Sequence, residues 1–226
     1  VVSEKMHSAM GSHGLDSDFR ILPNAADVDV FNYSEENVRP NDEFRLLHVS
    51  MLVDREKNIS GMLEAIAQAS NLFPLHLTII GDGPEREKHE AYCAKLGIQS
   101  YVTFEGLRSA KEIAFAMNTH DALIMFSHFE GMPATIIEAQ CCGMPVIATE
   151  TGSIKEMLTN LLDIVVTPGD VRGLVDAIDS FRKNLEVSND IASLRRRISI
   201  IASEKYSLEA VGKELDTIYD QVTLQK

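Results

Sequence analysis

Two glutamates, Glu130 and Glu138, flank the start of a short predicted helix in this 226-residue chain. Pro133 suits the first helical position because it has no N–H to leave unpaired, and Gly143 followed by Pro145 predicts the helix end. The neighbours of Glu138 one helical turn away are small and mostly apolar. We therefore expect its carboxylate to be buried and to need a partner, either from elsewhere in the fold or from a ligand.

A helix start next to two carboxylates could hold an anion. Its first N–H groups are unpaired and the helix dipole places roughly half a positive charge there, which favours phosphate. Glu130 and Glu138 would then accept hydrogen bonds from neutral hydroxyls on either side of the phosphate. The alternative is structural: Glu130 complements the helix dipole as a solvated acid, and Glu138 pairs with a distant base.

A cation stands near another predicted helix start. Lys57 follows the predicted strand 44–49 and lies at or just before the predicted helix 59–69. A positive charge there is unfavourable unless an anion is close, so Lys57 is a second candidate for phosphate binding. By its position in the same polar loop alone, Arg55 is interpreted as a solvated loop cation.

The whole chain alternates between short apolar runs and helical patterns, which predicts an α/β fold. We expect a doubly wound, mostly parallel Rossmann-like sheet with helices on both faces. The predicted strands are 44–49, 75–80, 101–104, 122–126, 146–148 and 163–166. The predicted helices are 59–69, 85–96, 110–117, the one opening at Pro133, 154–158, 171–183, 190–204 and 206–221.

The unusual loops all follow predicted strands, and parallel sheets bind ligands beyond the carboxyl ends of their strands. We therefore expect these loops to converge at one edge of the sheet. They are 50–57, 81–84, 106–108, 127–133 and 149–153.

Composition limits the possible functions. The net charge of −13 argues against a nucleic-acid partner and against an anionic membrane surface. No apolar run approaches the roughly 20 residues that a membrane helix needs. The cysteines, Cys93, Cys141 and Cys142, have neither metal-ligand nor disulfide-framework spacing and indicate a reducing compartment.

The motifs resemble a known family. Glu130-Gly131-Met132-Pro133, Glu138-Ala139, the run from Gly143 to Thr149 and the segment Gly152–Glu156 are similar, in order, to the glutamate-x-seven-glutamate signature of group 1 retaining glycosyltransferases. Those enzymes have two facing Rossmann-type domains, the GT-B architecture, and the signature lies in the C-terminal, donor-binding domain. Gly81-Asp82-Gly83-Pro84 also matches the family.

The resemblance implies a domain organisation. The segment Arg20–Asp27 resembles the connection that leads from the first domain into the second, with Ala25 where glycine is usual. Residues 1–24 would then be a remnant of that connection and of the first domain. Residues 25–203 would form the nucleotide-sugar-binding domain, and residues 204–226 a helix that crosses back to the first domain with an apolar stripe partly exposed.

The resemblance also implies site roles. Glu130 would hold the donor sugar, Glu138 the ribose, and Lys57, with Arg55 and the amides of residues 132–135, the diphosphate; Glu130 and Lys57 are the candidate catalytic residues. No metal or cofactor is implied, and the donor would be a UDP-, GDP- or ADP-sugar. The further candidate donor-binding residues are Gly81, Asp82, Gly83, Leu107, Arg108, Ser127, Gly131, Met132, Pro133, Ala134 and Thr135.

One motif departs from the family. An arginine usually follows the first strand within glycine-arginine-leucine, whereas this chain has Ser50-Met51-Leu52, so Arg55 is its candidate replacement. The departure leaves open a sugar-nucleotide-binding module without chemistry, and the shared architecture leaves open an epimerase.

His48, His76 and His120 are interpreted as structural, and His128 as structural or as lining the site.

The resemblance implies partners and a location. The acceptor would bind an N-terminal domain of the same full-length protein, so this domain alone is expected to be inactive. The location would be cytoplasmic, in polysaccharide biosynthesis, with a peripheral position of the full-length protein at the inner face of the membrane left open. Neither nucleic acid nor direct membrane binding by this domain is expected.

Overall fold

A parallel sheet forms the centre of the computed structural model, which describes residues 1–15, 19–37, 43–158, 160, 162–188 and 190–223. Six strands of the described residues pair in the order β3-β2-β1-β4-β5-β6, and every pairing is parallel. The order reverses direction between β1 and β4, as in doubly wound folds. The strands are β1 Phe44–Val49, β2 Leu75–Ile80, β3 Val102–Gly106, β4 Ala122–Met125, β5 Val146–Thr149 and β6 Ile164–Val166.

Ten α-helices of the described residues connect and flank these strands, together with a short 3-10 helix at Glu35–Asn37. The α-helices are α1 Glu4–Ser12, α2 Asp54–Lys57, α3 Ile59–Ala69, α4 Arg86–Leu96, α5 Ala110–Thr119, α6 Ala134–Cys141, α7 Ile154–Met157, α8 Val171–Val187, α9 Ile191–Tyr206 and α10 Leu208–Thr223.

The core lies on both faces of the sheet because alternate side chains of a strand point in opposite directions. In β1, Leu46 packs with α3 and α8 on one face, whereas Leu47 packs with α5 and α6 on the other. Both leucines are fully buried. This arrangement confirms the predicted α/β fold with helices on both faces of a parallel sheet.

Several predicted boundaries were wrong. The sequence pattern predicts no helix at residues 4–12, which form α1, or at residues 54–57, which form α2. Pro133 is the residue before α6 rather than its first residue, because its ψ of 118° is extended. The last helix begins at Leu208, since α9 continues to Tyr206. The polar composition of residues 35–42 predicts a turn, and part of this segment lies outside the described residues.

A buried arginine ties α9 to the ends of two neighbouring helices. The Arg195 guanidinium, 4% exposed, donates hydrogen bonds to the carbonyl oxygens of Gly143, His120 and Met117 at 3.1, 3.2 and 2.8 Å. Carbonyls at helix C-termini lack intrahelical partners, so a cation with several donors satisfies them. Arg195 thereby fixes the C-terminal end of α6, the helix that carries Glu138.

The helix α10 exposes an apolar stripe, as expected from the sequence. None of its side chains is buried, and Leu208, Tyr219 and Val222 are each more than half exposed.

No helix among the described residues is long and apolar enough to cross a membrane. The three cysteines are free and buried, and burial raises the pKa of Cys93 and of Cys141 to about 11.

Candidate functional site

The loops that follow β1 and β2 pack closely at the carboxyl edge of the sheet. The Leu52 N–H donates to the Asp82 carbonyl at 3.0 Å. Gly81 has a φ of +133°, and a Cβ there would lie 1.9 Å from the Ser50 carbonyl oxygen. The glycine in this turn is therefore required by backbone packing, because no side chain fits between the two loops. Whether Gly81, Asp82 and Gly83 also bind a donor stays a prediction.

The β3 loop joins this edge through the same glycine. The Gly81 N–H donates to the Gly106 carbonyl at 2.9 Å. Beyond it, Leu107 is 76% exposed, and the exposed Arg108 donates from its Nε to Glu105 at 3.0 Å. The predicted loop 106–108 thus lies at the expected edge of the sheet, and the side chains of Leu107 and Arg108 are both exposed there.

A charged cluster joins the loop after β1 to the loop after β4. The Lys57 Nζ donates to Oε1 of Glu130 at 2.7 Å, and the Ser127 hydroxyl donates to the same oxygen at 2.7 Å. The exposed fractions of the Lys57 and Glu130 side chains are 19% and 7%. The anion that the sequence required near Lys57 is therefore Glu130, a pairing across 73 positions that no local pattern predicts.

The short helix α2 places Lys57 against this loop. Its residue Glu56 accepts backbone hydrogen bonds from the N–H groups of His128 and Phe129, at 2.8 and 3.3 Å. These bonds hold the two loops at a fixed separation. Lys57 is the last residue of α2 and lies just before α3, as predicted. The N-cap of α3 is Asn58, whose side chain accepts from the Gly61 N–H.

Arg55 lies on a different side of α2. Successive residues of an α-helix are rotated by about 100°, so Arg55 and Lys57 leave the helix roughly 200° apart. Arg55 is exposed, and within the described chain no ion pair or side-chain hydrogen bond is found for it. The role of Arg55 as a replacement for the family arginine stays a prediction.

The start of α6 has the features of an anion site. Pro133 precedes the helix and provides no side-chain hydrogen bond to its first turn. The N–H groups in the first turn of any helix lack an intrahelical acceptor, and here these include the N–H groups of Ala134 and Thr135. Ala134 is exposed and Thr135 half-buried.

Glu138 differs electrostatically from Glu130. Its side chain is half-buried, where the sequence predicts a buried carboxylate, and among the described residues it has no hydrogen-bond or ion-pair partner. Desolvation by burial raises the pKa of its carboxyl. The distant-base alternative is therefore wrong for the described residues, and Glu138 is free to accept hydrogen bonds from a ligand.

His48 lies beneath the site and is fully buried. Its Nδ1 donates to the Ile124 carbonyl at 2.8 Å, so the neutral ring accepts at Nε2 from the Ser50 hydroxyl at 2.7 Å. Burial lowers the pKa of His48 to about 4, opposed by the Ile124 hydrogen bond, and the charge of Lys57 adds to the lowering. Its predicted structural role agrees with these contacts, as it does for His120, which bonds Thr78.

The His48 shift predicts acid destabilisation. The folded pKa is about 4 and the unfolded one 6.5, so the unfolded state binds more protons between them and stability falls as pH drops through this window. Relative to His48→Asn, the wild-type protein should lose about 2 kcal/mol of unfolding free energy between about pH 7.5 and about pH 5. Urea unfolding of both proteins at the two pH values measures it.

The comparison with the variant is needed because another group acts in the opposite direction. Burial raises the pKa of Asp163 to about 6, and a raised carboxyl pKa stabilises the fold as pH drops. This contribution is the same in both proteins and cancels. Parallel pH profiles for the two proteins would show that His48 does not titrate as described.

Fold and site together define a Rossmann-like α/β domain with a helix start, two carboxylates and a lysine at the carboxyl edge of its sheet. The family model described as "Glycosyl transferases group 1" matches residues 29–198. The chain belongs to the group 1 glycosyltransferase family.

Curated relatives agree with this family. The chain is 30% identical over 169 residues to the lipopolysaccharide 1,6-galactosyltransferase of Salmonella typhimurium, covering 73% of this chain and 42% of that enzyme. It is 26% identical over 178 residues to the N-acetyl-alpha-D-glucosaminyl L-malate synthase of Bacillus anthracis, covering 78% and 45%. The chain therefore spans less than half the length of either enzyme.

Solved structures share the fold. The sucrose-phosphate synthase of Thermosynechococcus elongatus superposes with a TM-score of 0.86 at 20% identity, covering 100% of this chain and 58% of that one. Anabaena HepE in complex with UDP-glucose superposes with a TM-score of 0.80 at 20% identity, covering 95% and 61%. At these identities the likeness concerns the fold alone.

Proposed function

We propose that this domain is the donor-binding half of a retaining glycosyltransferase and binds a nucleotide-diphosphate sugar at the carboxyl edge of its sheet. The observation that supports it most directly is the contrast between the two glutamates around the start of α6. Glu130 is paired with Lys57 at 2.7 Å, whereas Glu138 has no partner among the described residues. A half-buried carboxylate without a partner, beside an uncapped helix start, fits a ligand that combines hydroxyls with phosphates.

In this proposal the diphosphate lies at the start of α6. The N–H groups of Ala134 and Thr135 donate to its oxygens, and the helix dipole favours its charge. Lys57 is 19% exposed and already lies next to the loop that leads into α6. Its ammonium supplies the cation, and it keeps or shares the Glu130 contact when the donor binds.

The two carboxylates then bind different parts of the donor. Glu138 lies one turn inside the helix and accepts from the ribose hydroxyls. Glu130 lies in the loop before the helix and accepts from hydroxyls of the transferred sugar. We assign Glu130 a positioning role rather than a nucleophilic one, in line with its fixed geometry: Lys57 and Ser127 both donate to the same carboxylate oxygen. It positions the sugar while the diphosphate departs from the face at which the acceptor enters.

No metal is required in this proposal. The charge that develops on the departing diphosphate is stabilised by Lys57 and by the N–H groups at the helix start. Addition of a chelator should therefore leave diphosphate binding unchanged. We propose that the acceptor binds a part of the full-length protein outside this chain, consistent with the chain spanning 42% of its Salmonella relative.

Calorimetric titration with UDP, GDP and ADP, each with and without EDTA, tests the proposal. We expect one of the three to bind, unaffected by EDTA. With the matching nucleotide-diphosphate sugar, this chain alone should transfer no sugar to any acceptor other than water. UDP is the first choice, since the structurally similar HepE is seen with UDP-glucose. Failure of all three diphosphates to bind would overturn the proposed donor site.

A binding module without chemistry is the second candidate. It is favoured by Ser50-Met51-Leu52, where Met51 is 65% exposed and no arginine follows the strand. Sugar transfer by a full-length protein that carries the proposed acceptor domain would exclude this candidate. Diphosphate binding with no transfer by that protein would support it.

A further inference from the structure

The loop after β5 holds the loop before α6 by one carbonyl. Ser153 donates two hydrogen bonds to the Gly131 carbonyl oxygen, from its backbone N–H at 2.9 Å and from its hydroxyl at 2.8 Å. Ser153 is 2% exposed. The approach is close because Gly152, with φ +51°, has no Cβ, and a Cβ there would lie 2.2 Å from the Glu130 carbonyl oxygen.

These bonds fix the orientation of one peptide group. In a trans peptide the C=O and the following N–H point in opposite directions, and no cis peptide occurs in the described chain. With the Gly131 carbonyl turned toward Ser153, the Met132 N–H points to the other side. Within the described residues, the Met132 N–H has no hydrogen-bond acceptor.

This peptide needs such an anchor. Gly131 is exposed and has no Cβ, so the peptide that follows it can rotate more easily than one between two larger residues. The next peptide is anchored separately, because the Asn24 side-chain amide donates to the Met132 carbonyl at 2.7 Å. Since Pro133 has no N–H, the Met132 N–H is the last backbone donor before those of α6.

We propose that Ser153 is a positioning residue for the diphosphate: through the Gly131 carbonyl it aims the Met132 N–H at the phosphate beside the start of α6. The inference rests on the proposed donor site and deepens it. The backbone N–H of Ser153 alone would make one hydrogen bond to the Gly131 carbonyl oxygen, and the hydroxyl adds a second. Without it the Gly131–Met132 peptide rotates, and a donor to the phosphate is lost for part of the time.

The test compares Ser153→Ala with Ser199→Ala. Ser199 is also buried and donates its hydroxyl to a carbonyl, that of Cys141 at 2.6 Å, at the opposite end of α6. The probes are whichever of UDP, GDP and ADP the wild-type protein binds, and the matching nucleoside. We expect Ser153→Ala to raise the Kd of the diphosphate about 5- to 10-fold and to leave that of the nucleoside unchanged. Ser199→Ala should change neither, and Ser153→Thr should restore affinity.

A nuclear magnetic resonance measurement reads the peptide directly. In the wild-type protein the Met132 amide resonance should shift on addition of the diphosphate, and in Ser153→Ala this shift should shrink. Unchanged diphosphate affinity in Ser153→Ala, or an equal loss for the nucleoside, would overturn the role of Ser153 while leaving the donor site intact. If the wild-type protein binds none of the three diphosphates, the donor site and this inference both fail.

Discussion

Lys57→Ala is expected to weaken binding of a nucleoside diphosphate by about 2–3 kcal/mol, roughly a 30- to 160-fold rise in Kd. In the proposed site Lys57 is the one side-chain cation with a demonstrated contact to the loop before α6, within the described residues. A charge-assisted hydrogen bond to phosphate is among the stronger single contacts that a protein makes. Calorimetric titration of the wild type and the variant measures the difference.

Removal of Lys57 has a second consequence that the experiment must separate. Glu130 is 7% exposed, and without Lys57 only Ser127 still donates to it, so the fold should also lose about 1–3 kcal/mol. Lys57→Ala is therefore repeated in a Glu130→Gln background, where no buried carboxylate is left unpaired. A direct phosphate contact predicts a loss of affinity in the Glu130→Gln background at least as large as in the wild type, because Lys57 is there no longer shared with Glu130.

A matched control corrects for net charge. Lys155 is 67% exposed and pairs with Glu150 in the loop after β5, so Lys155→Ala changes the charge equally near the same edge. It should alter diphosphate affinity by less than about 0.5 kcal/mol. Equal effects of Lys57→Ala and Lys155→Ala on diphosphate affinity would mean that the ligand responds only to net charge and that Lys57 does not contact the phosphate.

The second large effect separates the two glutamates. Glu138→Gln should weaken the bare nucleoside diphosphate by about 1–2 kcal/mol, because an amide is a weaker acceptor for hydroxyls than a carboxylate. Glu130→Gln should leave the affinity for the bare diphosphate unchanged or raise it slightly, since Lys57 is released from its 2.7 Å contact. The Glu130→Gln variant should lose affinity only for the intact sugar nucleotide.

Ligand truncation locates the Glu138 contact. If Glu138 accepts from the ribose, the penalty of Glu138→Gln should vanish for a 2′,3′-dideoxynucleoside diphosphate. Burial raises the pKa of Glu138, so binding should also weaken as pH falls and the carboxylate gains its proton. That pH dependence should be reduced in Glu138→Gln. A penalty on the bare diphosphate from Glu130→Gln alone would reverse the proposed orientation of the donor.

The fold was largely predictable because its signals are local. The strands β1 and β2 and the helix α3 have the predicted bounds, each marked by an apolar run or helical spacing with clear ends. The helix α2 was missed because four residues, Asp54–Lys57, contain less than two turns and show no periodicity. The α9–α10 boundary was misplaced because Tyr206 continues the apolar pattern of both helices.

The parallel sheet, the family and the edge at which the loops meet are predictable from the amino-acid sequence, since hydrophobic periodicity and ordered motifs are properties of neighbouring residues. The pairing of the candidate groups is visible only in the folded chain. Lys57 meets Glu130, Glu138 meets no partner among the described residues, and Ser153 holds Gly131. These contacts join different loops and depend on strand order, which brings residues far apart in the chain to the same edge.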